Sequence, residues 1–435
     1  MRWLIGAMVL LAVAVLLGLG LLAYAVYALV GAIALSRVLA NRWSAQLAAS
    51  REINRDHVQL GESVAVVVVV ENKGWLPIPW LLLEDLLPRR ALIRNPPNLQ
   101  VTGRRLQLVS MRGGSRRTIL YQLKANCRGY YQLGPLVAET GDVFGLYRRY
   151  RVLSQPSFLL AYPEVIPLEG FDIASRRPIG EVRMAHRLYE DPTRIAGVRA
   201  FQAGDPLNRI HWRATARTGE LHSKVYEPST VAGATLILDF HQRSYDPANE
   251  PVRSELAVTS AASIAGALCE MDEQVGLVTN GRDAADRIRT HLDTARELHS
   301  RREALDAGMR ERSDRLRPLV VPTRRSHIQL AQILRVLARV EKTDGLTFAE
   351  LIQETMSQIP ASATVIALLA DVTPQTAIAL GNLRRRGLAV TAIINVYEGP
   401  DFATLSGPLV AEGVETRHLR DRAAIPTVCS SYVLR

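Results

Sequence analysis

The sequence predicts a multidomain α+β protein with an N-terminal membrane segment, a β-sandwich and a mostly parallel α/β sheet. Residues 3–36 carry no charged side chain, which indicates the membrane segment. Short β-branched runs between turn residues indicate the sandwich over residues 52–162, and alternating strand and helix patterns indicate the α/β domain over residues 231–435. Residues 163–230 connect these two parts, and residues 1–42 hold the membrane segment with its basic flank.

The uncharged N-terminal run is longer than the about 20 residues that one membrane-spanning helix needs. Gly18-Leu19-Gly20 lies near its middle, and a turn there would give a hairpin of two short spans; a single tilted helix is the alternative. Only Arg2 precedes the run. The arginines that follow it are Arg37, Arg42, Arg51 and Arg55. Because basic flanks stay on the cytoplasmic side, both arrangements predict cytoplasmic folded domains on an integral membrane protein.

The composition narrows the class of protein. A net charge of +11 predicts an arginine-rich surface close to anionic lipid, with nucleic-acid binding as the alternative. The 3 cysteines, Cys127, Cys269 and Cys429, lie far apart, so neither a disulfide framework nor a zinc site is expected. The sequence contains no phosphate-binding loop, nucleophile elbow or zinc-protease motif, and we do not expect an enzyme.

Turn chemistry and apolar runs together predict the β-rich section. Val64–Val70 is an uninterrupted run between two turns, which suits either a strand buried on both faces or a core strand in a sandwich. Pro77 and Pro79 prevent full pairing of residues 75–80, because proline has no N–H to donate. Short strands at this spacing, without a helical period, predict an immunoglobulin-like sandwich.

The α/β section contains four apolar runs of strand length, separated by helical patterns. The predicted strands cover residues 234–240, 274–279, 363–370 and 388–396. The predicted helices cover residues 253–270, 326–340 and 373–386, and the charged residues 282–325 are predicted as an exposed helix and a loop. This alternation predicts a parallel sheet covered on both faces, with any ligand beyond the carboxyl ends of the strands.

Two predicted strands are followed by an aspartate, Asp239 and Asp371. This resembles the von Willebrand factor type A fold, in which a first strand ends in Asp-x-Ser-x-Ser and a later strand supplies a second aspartate to a divalent cation. Here the motif reads Asp239-Phe240-His241-Gln242-Arg243, so both serine places are lost. Arginine repels a cation and imidazole is a poor magnesium ligand, so no metal site is predicted. If magnesium does bind, the two aspartates are its candidate ligands. Alternatively, each aspartate caps the helix that follows it.

The most specialised segment of the chain is residues 201–221. Asp205 is predicted to cap a helix that Pro206 begins and Gly219 ends. Three arginines recur at every fourth position and would share one face of that helix. The predicted binding residues of this segment are Asp205, Arg209, His211, Trp212, Arg213 and Arg217.

The arginines of this segment have two possible uses. They could pair with acidic side chains and so lock the two soluble sections together; the candidate acids are Glu190, Asp191, Asp205 and Glu220. They could instead bind an acidic partner or a phosphate group, which guanidinium recognises through paired hydrogen bonds.

The same segment closely resembles the signature of the bacterial domain-of-unknown-function family 58. The matching residues are Phe201, Gly204-Asp205, Arg209, Ile210-His211-Trp212, Arg213 and Ala216-Arg217-Thr218. Two further stretches, 128–135 and 142–146, are similar to the family as well. The resemblance implies two N-terminal spans, which favours the hairpin. It also implies a companion of MoxR-type AAA+ ATPases: a membrane-anchored, non-enzymatic adaptor or scaffold for assembling or maturing protein complexes.

Two other functions fit the sequence. A hydrolase or transferase at the membrane face could use the His/Arg block, with a base among His186, His211 and His222. A nucleic-acid-binding protein could use the positive charge. The expected partners are the lipid bilayer and the ATPase, and no nucleic acid is expected.

Overall fold

The computed structural model describes residues 12–13, 20–94, 96–142, 147–168, 190–202, 210–228, 233–287, 316–360 and 363–430. The chain divides into two compact units, and distant parts of the sequence contribute to each. Unit 1 comprises Met1–Glu164, Gly281–Arg317 and Leu334–Lys342; unit 2 comprises Val165–Asn280, Pro318–Ile333 and Thr343–Arg435.

The elements are numbered in chain order. The helices are α1 (Gly20–Gln46), α2 (Arg89–Ile93), α3 (Trp212–Thr218), α4 (Val252–Glu270), α5 (Gln329–Arg339), α6 (Phe348–Thr355), α7 (Pro374–Arg385), α8 (Gly399–Ala411) and α9 (Ala424–Ser430). The strands before residue 165 are β1 (Leu47–Ile53), β2 (His57–Val58), β3 (Ser63–Asn72), β4 (Ile78–Asp85), β5 (Leu99–Gly103), β6 (Leu106–Met111), β7 (Arg116–Ala125), β8 (Gly129–Leu133), β9 (Leu136–Gly141), β10 (Arg148–Ser154) and β11 (Ser157–Ala161). The later strands are β12 (Glu190–Ala200), β13 (His222–Pro228), β14 (Gly233–Leu238), β15 (Gln274–Thr279), β16 (Arg282–Asp283), β17 (Leu319–Arg324), β18 (Val340–Glu341), β19 (Thr364–Leu369), β20 (Val390–Ile394) and β21 (Glu415–His418).

Helix α1 is long and apolar enough over Tyr24–Gln46 to cross a membrane. Its described part, Gly20–Gln46, runs well past Ser36, where the second span was expected to end, and the predicted turn at residues 18–19 lies outside the described residues. Its final turns are buried on the sandwich, because Trp43 belongs to the sandwich core. The first predicted span lies outside the described residues, apart from residues 12–13.

Unit 1 is built around two four-stranded antiparallel sheets, with strand orders β1-β3-β7-β5 and β10-β9-β4-β6. Side chains of both sheets form one apolar core, which therefore makes a β-sandwich. A third sheet has the order β2-β11-β8. Strand β1 begins at Leu47, before the predicted boundary at residue 52, because its residues pair along β3.

The valine-rich strand β3 buries every second side chain, Val64, Val66, Val68 and Val70, and presents the alternate ones toward the surface. It is thus a sandwich strand with one core face, and not the strand buried on both faces that the apolar run also allowed. Proline also acts as predicted in β4, where the pairing with β6 shifts register between Ile78 and Leu81, on either side of Pro79.

Unit 2 contains a six-stranded sheet with the order β17-β15-β14-β19-β20-β21. Strand β17 is antiparallel to β15, and all other neighbours are parallel, so the sheet is mostly parallel as predicted. Its central strands are buried along their whole length. A polar residue follows each of four adjacent parallel strands, namely Asp239 after β14, Asn280 after β15, Asp371 after β19 and Asn395 after β20.

Candidate functional site

The signature segment contains a shorter helix than predicted. Ile210 is buried and forms an antiparallel bridge with Ser223, so α3 begins only at Trp212. Its N-cap is His211, whose Nδ1 accepts a 3.0 Å hydrogen bond from the Ala214 N–H. The prediction that Asp205 caps this helix is wrong, since a β-bridge at position 210 interrupts the helical path. Asp205 and Arg209 themselves lie outside the described residues.

The end of this helix is confirmed. Gly219 takes the left-handed conformation, with a φ of 79°, and its N–H donates to the carbonyl of Thr215. A side chain with a Cβ rarely adopts that conformation, so the sequence signal of a glycine at this position was specific.

Helix α3 has no buried residue. The Trp212 side chain is 69% exposed, and Arg213 and Arg217 are exposed on the same helix. Glu220 is exposed and makes no ion pair with either arginine. The other candidate acids, Asp205 and the side chains of Glu190 and Asp191, lie outside the part of the chain that the structure describes, so pairing with them stays a prediction. Helix α3 presents an indole and two guanidinium groups to the outside.

Polar groups on the inner side hold α3 against strand β13. The Thr215 hydroxyl accepts a 3.0 Å hydrogen bond from the His222 N–H, and the His211 N–H donates to the His222 carbonyl at 2.8 Å. His222 Nδ1 lies 2.8 Å from the Glu220 carbonyl oxygen, which can only accept. Nδ1 therefore carries the imidazole proton. Ser223, the next residue, is buried.

At the carboxyl end of the six-stranded sheet, Asp239 is buried and bonded by three donors. Its Oδ1 accepts from the His241 N–H at 3.1 Å and from Asn280 Nδ2 at 2.9 Å, and its Oδ2 accepts from the Ser244 hydroxyl at 2.6 Å. Burial raises the pKa of this carboxyl group, against the lowering effect of these hydrogen bonds. Ser244 comes directly after positions 241 and 243, where the metal motif has its serines. Its hydroxyl donates a hydrogen bond to Asp239.

Asp371 lies at the same edge and is half-buried; its Oδ1 accepts from the Val372 N–H at 2.8 Å. The alternative interpretation expected each aspartate to cap the helix that follows it, and neither does. His241 caps the 3₁₀ turn Gln242–Ser244, and Thr373 caps α7. The local reason is distance along the chain: each aspartate bonds backbone N–H groups before the helical turn begins.

These residues do not fit the divalent cation that the Asp-x-Ser-x-Ser resemblance would imply. Both oxygens of Asp239 already accept hydrogen bonds from protein donors, and the serine places hold His241 and Arg243. Within the part of the chain that the structure describes, no cluster of three or more His, Cys, Asp or Glu side chains could hold a metal.

The structure also assigns roles to residues that the sequence did not single out. Arg51 was counted as a charge flanking the membrane segment. It is instead buried and paired with Asp85, and Tyr121 donates a 2.7 Å hydrogen bond to the same carboxylate. Burial and the Asp85 charge raise the pKa of Tyr121. No sequence pattern marks this triad, because its members come from β1, β4 and β7.

Arg128 begins the family-like stretch 128–135. Within this stretch Tyr131 is buried, and its hydroxyl donates to the Cys127 carbonyl at 2.9 Å. The Arg128 Nη1 donates to the carbonyls of Leu337 and Val340, at 2.7 and 2.9 Å. The arginine thus satisfies carbonyl groups at the end of α5 within unit 1.

The sequence of the segment that carries the exposed helix is similar to a known protein family. Residues 197–299 match the model of the family described as "Protein of unknown function DUF58". The chain is also 25% identical over 236 residues to "Uncharacterized protein YeaD" of Bacillus subtilis (strain 168), an alignment covering 54% of this chain and 56% of that relative. The chain thus spans little more than half the length of the curated relative it matches.

Solved structures with β-sandwich domains are similar to a quarter of the chain. The CARDB domain of PF1109 from Pyrococcus furiosus shares 13% identity, covering 27% of this chain and 94% of that domain, with a TM-score of 0.18. The ASH/PapD-like domain of human CEP192 shares 12% identity, covering 26% of this chain and 82% of that chain, with a TM-score of 0.17.

Proposed function

We propose that this protein is a membrane-anchored, non-enzymatic adaptor that docks a MoxR-type AAA+ ATPase through helix α3 in the assembly or maturation of protein complexes. The observation that carries the proposal is the exposure of Trp212 beside Arg213 and Arg217, on a helix without a buried residue. Tryptophan and arginine are the residues that most often dominate the binding energy of a protein interface. The ATPase as partner rests on the family resemblance.

The membrane anchor is proposed to be α1, with the folded units in the cytoplasm. Arg37 and Arg42 are exposed at the C-terminal side of the apolar helix and support this orientation. Arg51 no longer supports it, because its charge is paired inside the sandwich.

We further propose that unit 2 is a von Willebrand type A-like domain. The sheet order, the antiparallel edge strand β17 and the polar residues beyond the carboxyl ends of the parallel strands support this proposal. Asp239 at this edge is bonded by protein donors, and docking through helix α3 would need no divalent cation there.

One observation favours a hydrolase or transferase as a second candidate. Nδ1 of the half-buried His222 contacts the Glu220 carbonyl and the Thr218 hydroxyl, so Nε2 is the ring nitrogen that would accept a proton from a substrate. A general base has that arrangement. Burial of the adjacent Ser223 speaks against that residue as its nucleophile.

The adaptor proposal is tested by affinity capture of the full chain from detergent-solubilised membranes. We expect an AAA+ protein to be recovered, and we expect Arg213→Glu and Trp212→Ala to reduce its recovery. Trp75→Ala and Arg117→Glu are matched controls, since both residues are exposed on unit 1. Equal recovery with all four variants contradicts docking through α3. Turnover of ester or phosphoester substrates that is lost in His222→Asn would favour the second candidate.

A further inference from the structure

Helix α1 continues from its lipid-compatible part into the sandwich without a linker. Its exposed large apolar side chains extend from Leu21 to Val38. At 1.5 Å per residue this stretch is about 25 Å long, close to the hydrocarbon thickness of about 30 Å. The next turns are covered by protein instead, since Ala40 and Trp43 are buried and Trp43 lies in the sandwich core. The change from lipid-facing to protein-facing surface thus occurs within one or two helical turns.

Strand β10 packs beside this transition and is rich in arginine. Arg149 Nε donates a 2.7 Å hydrogen bond to Asn41 Oδ1, and Arg151 Nη1 donates to the Ser44 carbonyl at 2.6 Å. The strand therefore runs alongside the last turns of α1, with its Arg149 end nearer the apolar part. Arg148, the first residue of the strand, pairs with Glu139, and its side chain remains 61% exposed.

Helix α1 adds two exposed arginines at the same level. Arg37 is four residues before Asn41 and so lies next to it on the helix surface, and Arg42 follows Asn41 directly. Arg37, Arg42, Arg148 and Arg149 form a group that we call the basic collar. They surround the point at which the apolar surface of α1 ends.

We propose that the basic collar binds the headgroups of anionic phospholipids. Guanidinium groups bind phosphate through charge-assisted hydrogen bonds, and basic residues at a membrane surface attract anionic lipid. Because the last turns of α1 are part of the sandwich core, no flexible linker separates the collar from the membrane helix, and the collar is held at headgroup depth. This inference rests on the proposed membrane anchor and adds the lipid class that the anchored protein selects.

The sandwich also contains arginines outside the collar, between positions 89 and 117. Two of them are used in ion pairs, Arg105 with Glu84 and Arg116 with Glu71, as Arg148 of the collar is with Glu139. Four others are exposed and provide a control of equal charge. These are Arg94, Arg104, Arg112 and Arg117.

The test uses the full chain reconstituted into vesicles of phosphatidylcholine with a minor fraction of phosphatidylglycerol. Electron paramagnetic resonance of spin-labelled lipids measures the association of each lipid with the protein relative to the other. We expect a preference for phosphatidylglycerol of roughly fivefold or more, the factor that one basic side chain provides at an anionic surface. The preference should fall in about 0.5 M salt, which requires no substitution and so does not depend on a variant folding.

Replacing the four collar arginines by glutamine should remove most of the preference, whereas the same change at Arg94, Arg104, Arg112 and Arg117 should leave it in place. A wild-type preference near one, or an equal loss in both variants, overturns the collar. Extraction of the chain from the vesicles by alkaline carbonate is a separate readout. Release at that step would contradict the anchor itself, whereas retention without lipid preference contradicts the collar alone.

Discussion

Asp239 shows how a single buried carboxylate can be retained for structure. Its two oxygens accept hydrogen bonds from three donors. Two donors come from its own loop, and the third is Asn280 after the neighbouring strand. The residue thereby fixes the loops beyond β14 and β15 relative to each other. Sequence analysis located this residue but not its role, because Ser244 and Asn280 fall outside the motif to which it was compared.

Replacing Asp239 separates a structural role from metal binding. Asp239→Asn keeps an oxygen for His241 and Asn280, and Ser244 can reverse its hydroxyl to accept. We expect that variant to stay within about 1 kcal/mol of wild type in a urea titration of the detergent-solubilised chain. Asp239→Ala leaves buried donors unsatisfied and should lose about 2–3 kcal/mol. Calorimetric titration should detect no saturable magnesium binding to wild type; binding that Asp239→Asn abolishes would contradict this assignment.

The raised pKa of Asp239 also predicts a pH dependence. A carboxyl group whose pKa is higher in the folded than in the unfolded state contributes stability that is complete below the unfolded value, here 3.8. That contribution is lost as the pH rises through the folded pKa. Wild type should therefore lose stability relative to Asp239→Asn as the pH rises from 3.8 through the higher folded pKa. If the two proteins change in stability with pH in the same way, the Asp239 carboxyl group has the same pKa in the folded and unfolded states, which contradicts the prediction.

The Arg51–Asp85–Tyr121 triad makes a second residue-scale prediction. Arg51→Met leaves Asp85 buried without its cation and should cost about 3–5 kcal/mol, since one partner of a buried ion pair is removed. Tyr121→Phe removes one hydrogen bond and should cost about 1–2 kcal/mol. Arg117→Met, at an exposed position, serves as the control and should change the unfolding free energy by less than about 0.5 kcal/mol. A cost for Arg51→Met no larger than that of the control would mean that the pair does not support the fold.

At the scale of elements, the strands of unit 2 that could be predicted are those buried on both faces. Residues 274–279 form a strand over the predicted range, β19 and β20 fall inside their predicted runs, and β14 begins one residue before its predicted run. The two edge strands were missed. Strand β17 contains a proline and an arginine, and β21 reads Glu-Thr-Arg-His, because an edge strand is not enclosed on both sides and can keep polar residues.

Helix α3 shows the same limit at the candidate site. The glycine that ends the helix could be predicted because its reason is local, namely the left-handed conformation at Gly219. The start could not, because it depends on a pairing between Ile210 and Ser223 across the intervening helix. A periodic pattern of arginines says nothing of such a pairing. The exposure of Trp212 likewise follows from tertiary structure, since tryptophan at helical spacing usually packs inward.

The exposed helix predicts a separation between stability and binding. Trp212→Ala should change the unfolding free energy by less than about 0.5 kcal/mol, because the indole covers little protein surface. Ile210→Ala, at the buried bridge, should lose about 2–4 kcal/mol. Thermal and urea unfolding of both variants provide the comparison. A large loss for Trp212→Ala would show that the indole is a packing residue and not a docking residue.

At the scale of the whole molecule, the parts of the chain combine into one proposal. An apolar helix enters the core of a sandwich, a second unit holds a mostly parallel sheet, and a family-specific segment presents an indole and guanidinium groups outward. The broad order of apolar helix, β section and mostly parallel sheet followed from composition and periodicity. The assignment of residues 334–342 to unit 1 could not be predicted in this way, because in sequence they lie between strands of unit 2.

The most direct test of docking through α3 is the affinity of the purified full chain, in lipid nanodiscs, for the purified MoxR-type ATPase of the same cell. Wild type and the Trp75→Ala control should bind with equal affinity, in the presence or absence of a divalent-cation chelator provided that the ATPase itself stays assembled. Trp212→Ala and Arg213→Glu should each weaken binding by at least about tenfold while leaving the chain folded. Unchanged affinity in these folded variants would contradict the account.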